Sequence, residues 1–224
     1  MPQKDFSHAV QDYVKTIYAL QQHQRPVSNG ALKAQLNISA AAVTEMIQTL
    51  VKLNLVSYEP YRGVELTQAG ERVALEVIRH HRLIELYLYE ALGVPWDEVH
   101  AEAEQLEHAL SPRLVERIAE RLGEPQFDPH GAPIPSRDLY LPEQPGTSML
   151  DAPVGTVMQI TEVDDSSPDL LRYLADLGLL PGQQVTVISQ APFDGPLHVR
   201  VGTDVHALGQ QTAAAIRVAE AVEA

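Results

Sequence analysis

The 224-residue chain contains no cysteine, which excludes disulfide bonds and thiolate zinc sites. It has no apolar run approaching the roughly 20 residues that a membrane-spanning helix needs. A basic, then apolar, signal pattern is also lacking at its start, so the expected compartment is the cytoplasm. Basic residues are scarce: 16 Lys and Arg face 30 Asp and Glu, for a net charge of −14. That balance argues against a general polyanion binder. The deficit is uneven, however. Residues 1–75 hold seven basic and six acidic side chains, residues 76–149 six and fourteen, and residues 150–224 three and ten. Only the first third can approach DNA without strong repulsion, unless bound cations offset the middle third. No internal repeat is evident. A hydrophobic content of 45% supports packed cores, in one large domain or two to three small ones.

The most informative stretch is acidic and histidine-bearing: Val99-His-Ala-Glu-Ala-Glu-Gln-Leu-Glu-His-Ala109. Read as a helix, it places His100, Glu104, Glu107 and His108 within an arc of roughly 100°. Upstream, His81 and Glu85 stand at the i, i+4 spacing that stacks side chains one turn apart. Imidazole and carboxylate without thiolate form a borderline-to-hard ligand set for a divalent ion. For any single His–Glu pair a solvated helix face is the stronger reading. Six such residues, phased on two adjacent helices, favour a metal site.

The first third reads as a DNA-binding module. Val10, Tyr13, Val14, Ile17, Tyr18 and Leu20 give a helix over residues 5–23 its apolar face, with Asp12 inside the run. Arg25-Pro26 breaks that helix, and Ser28 or Asn29 caps the next. After an Asn37-Ile38 turn, Ser39 caps a helix over Ala40–Leu53. Val43, Met46, Ile47 and Leu50 face inward there, leaving Thr44, Glu45 and Gln48 outward. The small Ala40-Ala41-Ala42 run allows close approach to a groove. This pair resembles a helix-turn-helix. Strands at Leu55–Glu59 and Val64–Thr67, joined by Pro60-Tyr61-Arg62-Gly63, supply a wing whose Tyr61 and Arg62 suit a phosphate backbone or minor groove.

Thr67 caps a long helix to about Leu92, ended by Gly93 and Pro95. Asp97 or Glu98 opens the ligand-bearing helix, and Ser111-Pro112 opens another that ends at Gly123. The apolar stripes on these three helices exceed what one small domain needs, and a two-fold homodimer interface uses them economically. Six prolines between Pro125 and Pro145 mark an irregular linker. Beyond it, short strands at Thr156–Val163, Gln184–Ser189, Leu197–Val201 and Ala214–Val218, with a helix near Asp169–Leu177, predict a small β-barrel. The expected fold is therefore mainly α with a small β domain. Its expected parts are a winged helix-turn-helix over 1–75, a helical metal-binding and dimerisation domain over 76–146, and a β domain over 147–224.

In this order, Asp12-Tyr-Val-Lys-Thr-Ile-Tyr18, the helix-turn-helix with Tyr61-Arg62-Gly63, His81-Arg-Leu-Ile-Glu85 and Val99–His108 resemble the diphtheria-toxin-repressor-like regulators, which are iron- or manganese-dependent transcriptional repressors. Leu177-Gly-Leu-Leu-Pro-Gly182 is similar to their SH3-like C-terminal domain, itself like the ferrous-transport accessory protein FeoA. The resemblance implies a primary metal site of Asp12, Glu104, Glu107 and His108. It also implies an ancillary site of His81, Glu85 and His100 completed by an oxygen from the C-terminal domain. Asp164, directly after a strand, is the choice for that oxygen, with Asp165 and Asp169 open. Carboxylates at Asp12 and Glu104 follow the manganese branch, where the iron branch carries sulfur. Lys15 departs from the two-metal manganese regulators, which place a carboxylate there. The implied protein is a homodimer binding Mn2+, with Fe2+ as the alternative. It would read an inverted-repeat duplex through Ser39, Ala41, Ala42, Thr44, Glu45, Gln48, Tyr61 and Arg62, with no membrane partner and no catalysis. Two other readings compete: a metal-dependent hydrolase using Glu104 or Glu107 as base, weakened by the lack of a His-Glu-x-x-His motif, and a winged-helix regulator that senses something other than metal.

Overall fold

A computed structural model describes residues 6–221. They form two compact units: the chain up to His80 with Pro135–Tyr140, and His81–Ile134 with the chain from Leu141 onward.

The first unit opens with α1 (His8–Gln21), whose Val10, Tyr13, Val14 and Ile17 are buried at helical spacing. The helix-turn-helix follows as α2 (Asn29–Leu36) and α3 (Ala40–Lys52). Side-chain caps set both starts. Ser28 Oγ accepts from Ala31 N at 3.1 Å and Ser39 Oγ from Ala42 N at 3.2 Å. Asn37, left-handed at φ 50°, ends α2 and turns the chain. Val43, Ile47 and Leu50 of α3 pack into the same core as α1 and Leu32. The wing is β1 (Val56–Glu59) paired antiparallel with β2 (Gly63–Leu66). Gln21 at the end of α1 accepts from Leu66 N at 3.2 Å, and Val27 and Val64 exchange backbone hydrogen bonds. Gly63 is required there: its φ is 130°, and a Cβ would lie 2.3 Å from the Val27 carbonyl oxygen.

Thr67 opens α4 (Gln68–Leu92) as expected, its hydroxyl accepting from Gly70 N at 3.1 Å. In the second unit α5 (Val99–Leu106) and α6 (Pro112–Arg121) pack on the far half of α4, through Ile84, Leu88, Val99 and Ala103 on one side and Leu83, Leu86, Val115 and Ile118 on the other. The structure shortens the expected ligand-bearing helix. Its hydrogen-bonded turns close at Leu106, so Glu107 and His108 occupy the turn that follows. Neither Asp97 nor Glu98 caps it: Glu98 precedes α5 without a side-chain cap, and Asp97 is bonded to Arg172 at 2.7 Å.

The proline-rich stretch, read as a linker, is irregular but firmly held over its first half. Trp96 Nε1 donates to the Pro129 carbonyl at 3.1 Å, and Val163 N donates to the His130 carbonyl at 2.9 Å. Gln144 donates to the Gly131 and Thr161 carbonyls. Asp128, His130, Gly131, Ala132 and Ile134 are consequently buried. The C-terminal part of this unit is a six-stranded antiparallel sheet. It comprises β3 (Thr147–Ser148), β4 (Val157–Val163), β5 (Gln184–Gln190), β6 (Leu197–Val201), β7 (Asp204–Leu208) and β8 (Ile216–Glu220), ordered β3-β8-β4-β5-β6-β7. Helix α7 (Pro168–Asp176) buries Leu171 and Leu174 in its core, and the short α8 (Gln210–Ala214) adds Ala213. Among the described residues no helix is long and apolar enough to cross a membrane.

Candidate metal centre

Within the second unit, α4, α5 and the loop after β4 converge on one buried polar cluster. His81 and Glu85, one turn apart on α4, place Nε2 and Oε1 3.0 Å from each other. His100 Nδ1 lies 3.2 Å from that same His81 nitrogen and 3.1 Å from Glu85 Oε1. Asp165 Oδ2 stands 3.3 Å from His100 Nδ1. One ligand atom from each of these four residues falls within 4.8 Å of the others. Here the structure corrects one expectation. Asp164 is exposed and its carboxylate accepts from Ser166 N at 2.8 Å, which turns it away from the cluster. Asp169 is 91% exposed and engaged by Arg172. Asp165 is the acidic side chain of that loop that faces His100.

Glu107 and His108, at the close of α5, extend the cluster. Glu107 is buried and places Oε2 2.6 Å from His81 Nδ1, while its other oxygen lies 3.2 Å from His108 Nε2. A carboxylate that binds one ring nitrogen of a histidine leaves the other available as a metal ligand and fixes the ring's orientation. Glu104 is looser: its side chain is 44% exposed, 3.7 Å from His81 Nδ1 and 3.9 Å from His100 Nε2. Asp12 sits half-buried on α1 in the first unit.

Two further ligand-type residues were missed from sequence. Asp128 and His130 belong to the held part of the proline-rich stretch, and with Glu85 they form a second group of atoms within 4.8 Å, all buried. His130 Nε2 lies 2.9 Å from the Trp96 carbonyl oxygen. A carbonyl only accepts, so Nε2 carries a proton, and in the neutral ring the lone pair is on Nδ1. That Nδ1 is buried with no hydrogen-bond partner among the described residues, 3.9 Å from Asp165 Oδ2. Glu85 Oε2 is likewise buried without a hydrogen bond. Orphaned lone pairs aimed into a shared space are costly unless a cation meets them. Two imidazole lone pairs and several carboxylates therefore fit a divalent metal ion. The signal that could have found these residues is Asp128-Pro-His-Gly131, a histidine and a carboxylate inside a segment otherwise read as punctuation.

The electrostatics agree. Burial alone would push the Glu85 carboxyl up, yet hydrogen bonds to His100 and His81 hold it well below the usual carboxylate range. Asp165 is treated the same way: burial raises it, the bond to His100 prevails, and the net shift is downward. Those two acids push the His100 imidazole up to about 10, Asp165 being the larger influence. Asp128 goes the other way, raised well above its ordinary value by burial and then by the Glu85 charge.

In the first unit Ala41, Ala42, Thr44, Glu45 and Gln48 are all exposed on α3, beside the exposed cap Ser39. At the wing tip Tyr61 is fully exposed, at 105%, and Arg62 is exposed but ion-paired to Glu59 at 2.8 Å.

A winged helix-turn-helix, a helical His and carboxylate cluster and a small β domain define a ligand-responsive regulator with a metal centre. Comparison with known proteins identifies the family. The model for the iron-dependent repressor N-terminal DNA-binding domain matches residues 5–64, that for the iron-dependent repressor metal-binding and dimerisation domain matches 67–136, and that for the FeoA domain matches 147–220. The iron-dependent repressor IdeR of Mycobacterium tuberculosis is 31% identical over 92% of this chain and 94% of its own. A structure described as a manganese-dependent transcriptional repressor complex with manganese is 38% identical, covers 95% of this chain and all of its own, and superposes with a TM-score of 0.89. The regulator ScaR with bound Cd2+ is 32% identical over 95% of this chain and 99% of its own, with a TM-score of 0.84. The chain belongs to the diphtheria-toxin-repressor-like family of metal-dependent transcriptional repressors.

Proposed function

We propose that this protein is a manganese-responsive, homodimeric repressor of metal-uptake genes. It would read an inverted-repeat operator when its metal centre is loaded. The observation that carries the metal reading is the cluster of His81, Glu85, His100, Asp165 and His130, whose donors are nitrogen and oxygen alone. Hard oxygen and imidazole donors suit Mn2+, and the absence of sulfur removes the main preference for softer ions. Zn2+ and Cu2+ would still bind such donors tightly, so selection among metals rests on coordination number and availability. The manganese repressor at 38% identity adds support, while the relatives named for iron keep Fe2+ as the second reading.

Two ligand sets are assigned. His81, Glu85, His100 and Asp165, with His130 and Asp128 alongside, form the first. Glu104, Glu107 and His108 form the second, and Asp12 on α1 joins it on the strength of the family pattern. A bound divalent cation supplies the positive charge these carboxylates share and offsets part of the acidity of the middle third. Without it, the carboxylates of Glu104 and Glu107 repel one another, and the DNA-competent arrangement is not selected. Glu107 contacts both sets, holding His81 with one oxygen and facing His108 with the other. Coupling between metal and DNA is reciprocal: operator DNA tightens metal binding by the same factor that metal tightens DNA binding. Glu104→Ala tests the assignment. It should abolish metal-dependent DNA binding while leaving the thermal melt of the metal-free protein intact. Unchanged DNA affinity would instead favour a regulator whose trigger is not metal.

A further inference from the structure

The base-reading face of α3 lacks the residue type most often used for that task. Its cation, Lys52, lies in the last turn, and the outward positions nearer its start are Ala41, Ala42, Thr44, Glu45 and Gln48. Glu45 is exposed, and its carboxylate makes no hydrogen bond or ion pair among the described residues. It therefore has no structural task within the fold. It stands one turn beyond Ala41, whose small side chain lets the groove wall come close, and one turn before Gln48.

A carboxylate can only accept hydrogen bonds, and the phosphate backbone repels it. A recognition helix that enters the major groove through its first turns brings this group to base edges. The donors available there are the cytosine N4 and adenine N6 amino groups. Adenine sets the N7 lone pair beside its amino group, against the second carboxylate oxygen. Cytosine sets a C–H there, which carries no lone pair. We propose that Glu45 is a specificity-determining residue that selects a cytosine in each half of the operator. It does so both by accepting from N4 and by rejecting strands that carry guanine, with O6 and N7, or thymine, with O4, in the cytosine's place. The missing arginine supports the same conclusion: with no cation in the first turns of α3, guanine is not read there by the usual bidentate pair. This inference rests on the reading of the protein as a metal-loaded DNA binder and adds which base it demands.

The test is selection from a library of DNA duplexes with a randomised core. Full-length wild type, Glu45→Gln and Glu45→Ala are compared, all loaded with Mn2+ and matched for Mn2+ binding and thermal melting. Wild type should enrich an inverted repeat with a cytosine at one fixed position in each half. Both variants should keep the rest of the repeat and lose that preference. In gel shifts, replacing the cytosine should weaken wild-type binding by about tenfold or more and the variants by less than about twofold. Glu45→Gln should also bind unrelated duplex more tightly, because one negative charge has left the groove face. If both variants retain the same cytosine preference, the proposal is wrong. If wild type enriches nothing with Mn2+ or Fe2+, the DNA-reading assignment itself fails, and that shows in the wild-type arm alone.

Discussion

A carboxylate as fully buried as Glu85 stays ionised only because His81 and His100 both stand within hydrogen-bond distance of it. The resulting pH dependence has a definite sign. His100 is raised to about 10, so its proton stabilises the metal-free fold fully below its ordinary value near 6.5 and loses that effect as pH climbs toward 10. Glu85 and Asp165 are lowered, so their contribution is present above the ordinary carboxylate range and is lost on acidification. The cluster thus favours the metal-free fold most between roughly pH 4.5 and 6.5. A metal ion must displace the His100 proton, so affinity should rise with pH up to about 10, with about one proton released per ion at neutral pH. Calorimetry of Mn2+ binding in two buffers of different ionisation enthalpy measures that release, and identical heats would contradict it. The choice between neighbours is equally sharp. Asp165→Ala should weaken Mn2+ binding by at least the roughly 10–100-fold that loss of an outer-shell partner costs, and Asp164→Ala by far less. The sequence could not separate these two, because adjacent residues leaving a strand differ only in which way the loop turns. That direction is set by the Ser166 amide captured by Asp164 and by the Asp164 amide bonded to the Ala215 carbonyl.

Elements were legible where short-range chemistry decides them. Ser39, Thr67 and Ser111 each cap the helix they were expected to open, and of Ser28 and Asn29 it is Ser28 that caps α2. Ser39→Ala should therefore cost about 1 kcal/mol of stability in urea unfolding. Mn2+ affinity should be unaffected, since α3 carries no ligand. Elements were illegible where tertiary contacts decide. β3 is two residues long, β7 stands at the end of the sheet beside β6, and α8 occupies a stretch partly read as strand. The segment from Gln126 to Ile134 is irregular as expected, and its burial also depends on tertiary contacts. Its prolines and glycine do preclude regular structure, but they do not preclude burial once Trp96, Val163 and Gln144 satisfy its carbonyls. Gly131 is the sensitive position: its φ is 89°, and a Cβ would lie 2.0 Å from the Thr161 carbonyl oxygen. Gly131→Ala should force this segment off β4, lower the melting temperature by several degrees, and weaken Mn2+ binding because His130 moves with it. A variant with wild-type affinity would remove His130 from the metal centre.

At the level of the whole molecule the distribution of charge, more than its total, tells how an acidic protein can hold DNA. The near-neutral first third carries the helix-turn-helix, and the acidic middle third carries the ligands. Order and spacing of the ligand motifs made the family legible from sequence, whereas Asp128 and His130 became visible only when folding brought them beside Glu85. Metal should also act on the fold by mass action. At a Mn2+ concentration of 100 times the dissociation constant, stability should rise by about 2.7 kcal/mol, a gain that Glu85→Gln should largely forfeit. The most direct measurement of the central claim is an anisotropy titration of the dimer against operator duplex with Mn2+, with Fe2+, and with chelator. Metal-driven DNA reading requires tight binding with metal and a loss of about tenfold or more on chelation, within the usual range of allosteric coupling. Equal affinity in metal and in chelator would contradict it.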